Sequence, residues 1–156
     1  MPNPFKLLIN MFSPNSVHPA AKKILDDPFF WDIIDGYSPH GNDDGADTMA
    51  KFQQWRKKNA GVSSRTFLSD LFTGWGIYDA GTPPDLAQDM MRNATIGLAF
   101  AHLKLEGACP RWVKEETLSL LQKEQERMAK DVVTYKDRIT CYSKMEQALK
   151  LASVSD

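Results

Sequence analysis

A chain of 156 residues, 42% hydrophobic and 25% charged, is long enough to bury a core, and we expect one domain over residues 1–156. The formal net charge of −1 excludes a nucleic-acid polycation and an extended acidic tail. No run approaches the roughly 18 apolar residues of a membrane span, and the run after Lys6 is shorter than a secretory core, so we expect a cytoplasmic protein outside the membrane.

Apolar residues recur with helical spacing along almost the whole chain, and no alternating strand pattern is strong. The sequence therefore predicts an all-α, single-domain bundle of six or seven helices. The most apolar segment begins at Pro84 and ends before Gly107, so we expect it at the centre of the bundle. In chain order, the predicted helical segments are residues 5–12, 19–25, 29–34, 44–58, 65–75, 84–106 and 111–152.

The last of these segments has two interpretations. From Leu121 to Leu149, mostly apolar residues step alternately by four and three, as in a heptad pattern. A single long C-terminal helix over residues 111–152 would measure about 60 Å, longer than a small domain is wide. We favour a break near Val132 and Val133, which are weak helix formers. The alternative is a projecting helix that forms a homodimer.

Residues 26–47 depart from the average composition. This segment holds seven Asp and no Lys or Arg, together with several large aromatic rings. Such a surface suits a basic protein partner, because interface hot spots favour Trp and Tyr and complementary charge speeds association. The same charge would repel nucleic acid. The predicted partner-binding residues are Asp26, Asp27, Phe30, Trp31, Asp32, Asp35, Tyr37, Asp43 and Asp44.

The same segment invites a metal-site interpretation. An EF-hand loop with Gly45 at its glycine position would need Glu where Lys51 stands, so that motif fails. A looser divalent-cation site would use His40, Asp43, Asp44 and Asp47. The simpler interpretation is that these Asp cap the following helix and complement its dipole. No catalytic or phosphate-binding motif occurs, the spacing of Cys109 and Cys141 matches no metal or redox site, and we predict no cofactor.

The pattern His18-Pro19-Ala20, Phe29-Phe30-Trp31-Asp32 and Gly41-Asn42-Asp43-Asp44-Gly45-Ala46-Asp47 resembles small bacterial proteins of the YfeS-like kind, over roughly residues 18–60. That resemblance implies a bacterial cytosolic protein and supplies no catalytic residues. A second likeness, in size, helicity and acidic–aromatic character, is to small immunity proteins. We therefore hypothesise a protein-binding module, most concretely an immunity protein or inhibitor that neutralises a basic bacterial toxin. The alternatives are a metal-dependent enzyme with its site around residues 40–47 and a structural homo-oligomer formed through the C-terminal helix.

Overall fold

The computed structural model describes residues 17–156, so the helix predicted over residues 5–12 lies outside the described residues. The all-α prediction is confirmed. When the helical run over residues 111–151 is counted as one unit, the described part has five α-helical units, slightly fewer than predicted. The elements are α1 (Pro19–Ile24), a 3-10 helix (Pro28–Trp31), α2 (Asp43–Lys58), α3 (Ser64–Gly74), α4 (Pro84–Glu106), α5 (Arg111–Met128), a second 3-10 helix (Ala129–Asp131) and α6 (Val132–Leu151).

Helix α4 is the centre of the bundle, as its apolar composition predicts. Every residue from Ala94 to Lys104 is buried, and α1, α2, α3 and α5 all pack against this helix. The crossing of α2 over α4 is close because both helices carry glycine there. A Cβ atom added to Gly97 would lie only 3.1 Å from the Cα atom of Gly45. Backbone therefore packs on backbone at this point.

The C-terminal run is an antiparallel hairpin. Asp131, with φ −143° and ψ 73°, interrupts the helical backbone and accepts a hydrogen bond from the N–H of Thr134. Helices α5 and α6 then lie side by side, and Gln125 Nε2 donates to Glu146 Oε2 at 2.6 Å. The heptad-like positions include four residues that are buried within this one chain: Leu121, Met128, Tyr142 and Leu149. The favoured break is confirmed close to its predicted place.

The chain end returns to the connection between α4 and α5. Cys109 and Val154 form an isolated parallel β-bridge, in which Cys109 N–H donates to Ser153 O at 2.9 Å. Both cysteines are free thiols. Within residues 17–156, no helix has the length and apolar character that crossing a bilayer requires.

Candidate functional site

Residues 32–38, which we call the acidic loop, are held by bonds from side chains to nearby backbone. One carboxylate oxygen of Asp32 accepts from the N–H groups of Ile34 at 2.8 Å and Asp35 at 2.9 Å. One oxygen of Asp35 accepts from the N–H of Tyr37 at 2.9 Å. Ser38 Oγ donates to the carbonyl oxygens of Asp32 and Asp35. Asp and Ser make such local turns readily, so the sequence itself specifies this loop.

Asn42 connects the acidic loop to helix α2. Its Oδ1 accepts from the N–H of Gly45 at 2.8 Å and so caps α2. Its Nδ2 donates to the carbonyl oxygens of Gly36 at 3.3 Å and Ser38 at 3.4 Å. Gly41 completes the connection, because a Cβ atom there would collide with the carbonyl oxygen of Asp35. The loop is thereby fixed to the start of helix α2.

Two large side chains of this fixed loop are exposed to solvent. Ile34 is 72% exposed and Tyr37 is 44% exposed. The guanidinium group of Arg138, on α6, lies 5.5 Å from the centre of the Tyr37 ring. An exposed Ile on a well-ordered loop retains apolar surface that a partner could remove from water.

The carboxylates around this loop are partly paired. Asp26 is exposed, whereas Asp27 caps the first 3-10 helix and forms an ion pair with Lys144 at 2.9 Å. The hydrogen bonds from Asp35 and Ile34 hold the pKa of the Asp32 carboxyl below its usual value, so it is charged near neutral pH. Asp32 and Asp35 each use one oxygen for these turns.

Helix α6 extends the acidic surface. Burial raises the pKa of the Cys141 thiol, and the carboxylates of Asp35, Asp137 and Asp27 raise it further while Lys144 opposes them. Three carboxylates from three elements therefore lie near one half-buried sulfur atom. No sequence pattern indicates Asp137, because it stands about a hundred residues from Asp35 along the chain.

Phe30 requires a correction, because it was predicted to contact a partner. Its side chain is 3% exposed and stacks on Phe100 with ring centres 5.6 Å apart. Phe29 is buried beside it. Trp31 is half-buried, and its indole Nε1 donates to the carbonyl oxygen of Leu25 at 2.7 Å. An aromatic ring contributes most to stability when it is buried in a core. The 3-10 helix directs the rings of Phe29 and Phe30 inward.

The Asp residues at the start of α2 serve that helix. Asp43 and Asp44 occupy its first turn, where carboxylates complement the helix dipole. Burial raises the pKa of Asp44, although Asn93 donates to its carboxylate at 3.3 Å. Asp47 forms an ion pair with Lys51 at 3.0 Å. The cap itself is Asn42, so the part of that interpretation that applies to Asp43 and Asp44 is the helix dipole, and Asp43 is exposed.

The metal site predicted from His40, Asp43, Asp44 and Asp47 is not assembled. His40 is buried: its Nε2 lies 2.8 Å from the carbonyl oxygen of Gly97, and its Nδ1 lies 2.8 Å from Lys104 Nζ. Both imidazole nitrogens thus face protein groups. Burial, and next the charge of Lys104, hold the pKa of His40 well below its usual value. Among residues 17–156, no three His, Cys, Asp or Glu side chains converge on a point that could hold a metal ion.

Lys104 is a buried charge that the sequence pattern did not indicate. Its ammonium donates to the carbonyl oxygen of Phe30 at 2.6 Å and to His40 Nδ1, and it lies 4.8 Å from the centre of the Trp31 ring. Burial lowers the pKa of Lys104 to about 7. This group joins α4 to the chain on either side of the acidic loop. Lysines at the ends of apolar stripes usually reach solvent, so the spacing alone could not predict its burial.

A second polar network, also missed by the sequence interpretation, lies between α3 and α4. Ser64 Oγ and His102 Nε2 are 2.8 Å apart, and both side chains are buried. The other imidazole nitrogen lies 3.2 Å from Glu106 Oε1, which also accepts from Arg56 Nε at 3.0 Å. Burial would raise the pKa of Glu106, but His102 and Arg56 hold it below its usual value. The four-residue spacing of His102 and Glu106 was visible in the sequence, whereas the approach of Ser64 was not.

Comparisons with known proteins identify no relative. No protein-family model, curated protein or solved structure matches this chain.

Proposed function

We propose that the chain is a protein-binding module that presents the acidic loop to a positively charged partner. Its most concrete form is an immunity protein or inhibitor for a basic bacterial toxin. The observation that carries the proposal is a hydrogen-bonded loop on which the apolar side chain of Ile34 is 72% exposed.

The rigidity of the loop favours binding. The backbone around Ile34 and Tyr37 is fixed by hydrogen bonds that the carboxylates of Asp32 and Asp35 accept and that the side chains of Ser38 and Asn42 donate. A loop that is ordered before association loses less conformational entropy when it binds. Burial of a side chain of this size contributes roughly 1.5–3 kcal/mol. Ile34 is therefore the expected anchor, and Tyr37 adds an amphipathic ring beside it.

The surrounding charge defines the chemistry of the partner. Asp26, Asp32 and Asp35 lie on or beside the loop, and Asp137 adds a carboxylate from α6. Lys144 pairs with Asp27, and Arg138 lies over Tyr37, so part of the field is balanced within the chain. A net negative rim around an apolar anchor attracts lysines and arginines and accelerates encounter. A basic toxin surface has this chemistry.

Of the nine predicted contacts, this proposal keeps Asp26, Asp32, Asp35 and Tyr37, and it leaves out Asp27, Phe30, Trp31, Asp43 and Asp44. Phe30 is in the core and Asp44 is half-buried at the start of α2. Ile34 and Asp137 take their place on the exposed surface. A homodimer through the C-terminal run would need a surface other than its heptad seam, because much of that seam is buried within the hairpin.

The experiment measures association with the protein encoded immediately upstream, by calorimetry and by growth rescue on coexpression in a bacterial host. We expect Ile34→Ala to weaken binding at least about tenfold, since a hot-spot truncation costs about 2 kcal/mol or more and tenfold corresponds to about 1.4 kcal/mol. The matched control is Leu151→Ala, because Leu151 is 74% exposed at the end of α6 that is far from Arg138 and the acidic loop. Equal losses for both variants, or none for Ile34→Ala, would contradict the assignment of the loop. Absence of binding and of rescue would contradict the immunity form.

A further inference from the structure

An open cavity of about 610 Å³ lies against the Ser64–His102–Glu106 network. Its walls come from the α2–α3 connection, the end of α4, the start of α5 and the chain terminus. Lining residues include Val62, Ser64, Glu106, Trp112 and Asp156. The cavity lies at the base of the α5–α6 hairpin. The acidic loop, in contrast, contacts Arg138, which lies in the first half of α6. These are two separate surfaces.

The three side chains have the order and spacing of a nucleophile, a base and an orienting carboxylate. Ser64 Oγ lies 2.8 Å from His102 Nε2, and His102 Nδ1 lies 3.2 Å from Glu106 Oε1. Nδ1 is within ion-pair distance of Oε1 but makes no aligned hydrogen bond with it. When the ring proton is on Nδ1, Nε2 is left to accept the serine proton, which is the tautomer that base catalysis needs. Arg56 Nε donates to the same carboxylate oxygen, Glu106 Oε1, at 3.0 Å.

The position of Ser64 adds to this arrangement. It is the first residue of α3, after the N-cap Ser63, so the positive end of the helix dipole lies at its hydroxyl. Such an end stabilises negative charge that develops on a substrate oxygen. A buried Ser–His pair that only joins two helices needs neither a carboxylate behind the imidazole nor a cavity in front of the serine. Here Glu106 lies behind the imidazole, and Ser64, which is 1% exposed, is one of the residues that border the cavity.

We propose that Ser64, His102 and Glu106 form a hydrolytic site for small, neutral acyl esters. Ser64 Oγ attacks the ester carbonyl carbon while its proton passes to His102 Nε2. The tetrahedral intermediate collapses, the C–O bond to the alcohol breaks, and the alcohol leaves with that proton. Water then attacks the acyl-serine, His102 takes its proton and returns it to Ser64, and the carboxylic acid departs. Ser64 and His102 are the catalytic residues, and Glu106 is a positioning residue.

The cavity walls indicate the substrate class. Val62, Pro110 and Trp112 supply apolar surface, and Asp156 disfavours an anionic substrate. Arg56 is engaged with Glu106 and with the carbonyl oxygens of Asn59 and Val62. A short, uncharged acyl chain fits these walls better than a carboxylate or a phosphate.

The test is reaction of the full chain with a small alkyl fluorophosphonate, which bonds to an activated serine oxygen as fluoride leaves. We expect mass spectrometry to place the adduct on Ser64 in the wild type and in Ser69→Ala, a control at an exposed serine of the same helix, and on no residue in Ser64→Ala. Glu106→Gln should slow labelling about a hundredfold or more, because the imidazole loses its orientation, and should shift the pH profile of the rate.

The outcomes are decisive without reference to the acidic loop. An unlabelled wild type, an adduct at another residue, or equal labelling rates in wild type and Glu106→Gln would overturn the proposal. Hydrolysis of p-nitrophenyl acetate that persists in Ser64→Ala would do the same. Loss of folding in one variant leaves the wild-type labelling result to decide. Partner binding through Ile34 is measured separately, so either proposal can fail alone.

Discussion

Lys104 gives the protein a distinctive dependence of stability on pH. Burial lowers its folded-state pKa from 10.5 to about 7, so the unfolded chain binds more protons between these values. The free energy of unfolding therefore rises with pH in this window. One proton of difference between the unfolded and folded states changes the free energy of unfolding by about 1.36 kcal/mol per pH unit. With these two pKa values, the free energy of unfolding rises by about 2 kcal/mol from about pH 7 to about pH 9.

Other shifted groups leave this window largely to Lys104. The pKa of His40 is lowered well below 6.5, so its contribution to stability is complete by about pH 7. Burial raises the pKa of the Cys109 thiol from 9.0 to about 12, so its contribution falls as pH rises above 9. Urea unfolding, followed by tryptophan fluorescence at about pH 7, 8 and 9, measures how the free energy of unfolding changes with pH in this window.

Replacement of the ammonium tests the cause. In Lys104→Met the slope between pH 7 and pH 9 should disappear, because a thioether does not titrate. If the variant does not fold, the Cε chemical shifts of the wild-type lysines give an independent measurement: one lysine should titrate near pH 7. An unchanged slope in the variant, or a full set of lysines with ordinary pKa values, would show that Lys104 is not the source.

Two further predictions concern packing and thiol access. Gly97→Ala should lower the free energy of unfolding by about 1–3 kcal/mol through overpacking, because the added Cβ atom would meet the Gly45 backbone at 3.1 Å. Gly74→Ala is the control, because a Cβ atom there meets open space. That variant should be neutral or stabilising by up to about 1 kcal/mol. Similar urea midpoints for the two variants would contradict the close helix crossing. Iodoacetamide should alkylate Cys141 in the native protein much faster than Cys109, because Cys109 is buried with a pKa raised to about 12; equal rates by mass spectrometry would contradict that difference.

Local chemistry explains which parts of the fold the sequence predicted. Asn42 and Ser63 are helix caps whose roles depend on residues two or three positions away, and the helical spacing of apolar residues identifies α4 as central. Ser64 and His102, by contrast, are 38 residues apart and meet only through the packing of α3 on α4. Lys104 reaches Phe30 across 74 residues. The pattern of a single sequence contains no information on contacts between residues that are so far apart along the chain.

The structure changes the physical basis of the binding proposal. Its starting point was the number of carboxylates in residues 26–47, but Asp27, Asp44 and Asp47 are engaged by Lys144, Asn93 and Lys51. Charge that is paired inside the chain adds little to affinity. What is left unsatisfied is apolar: Ile34 remains exposed on a loop that Asp32 and Asp35 make rigid. The carboxylates of Asp32 and Asp35 thus first stabilise the loop by accepting hydrogen bonds from its backbone. Their remaining oxygens, which point outward, favour a basic partner.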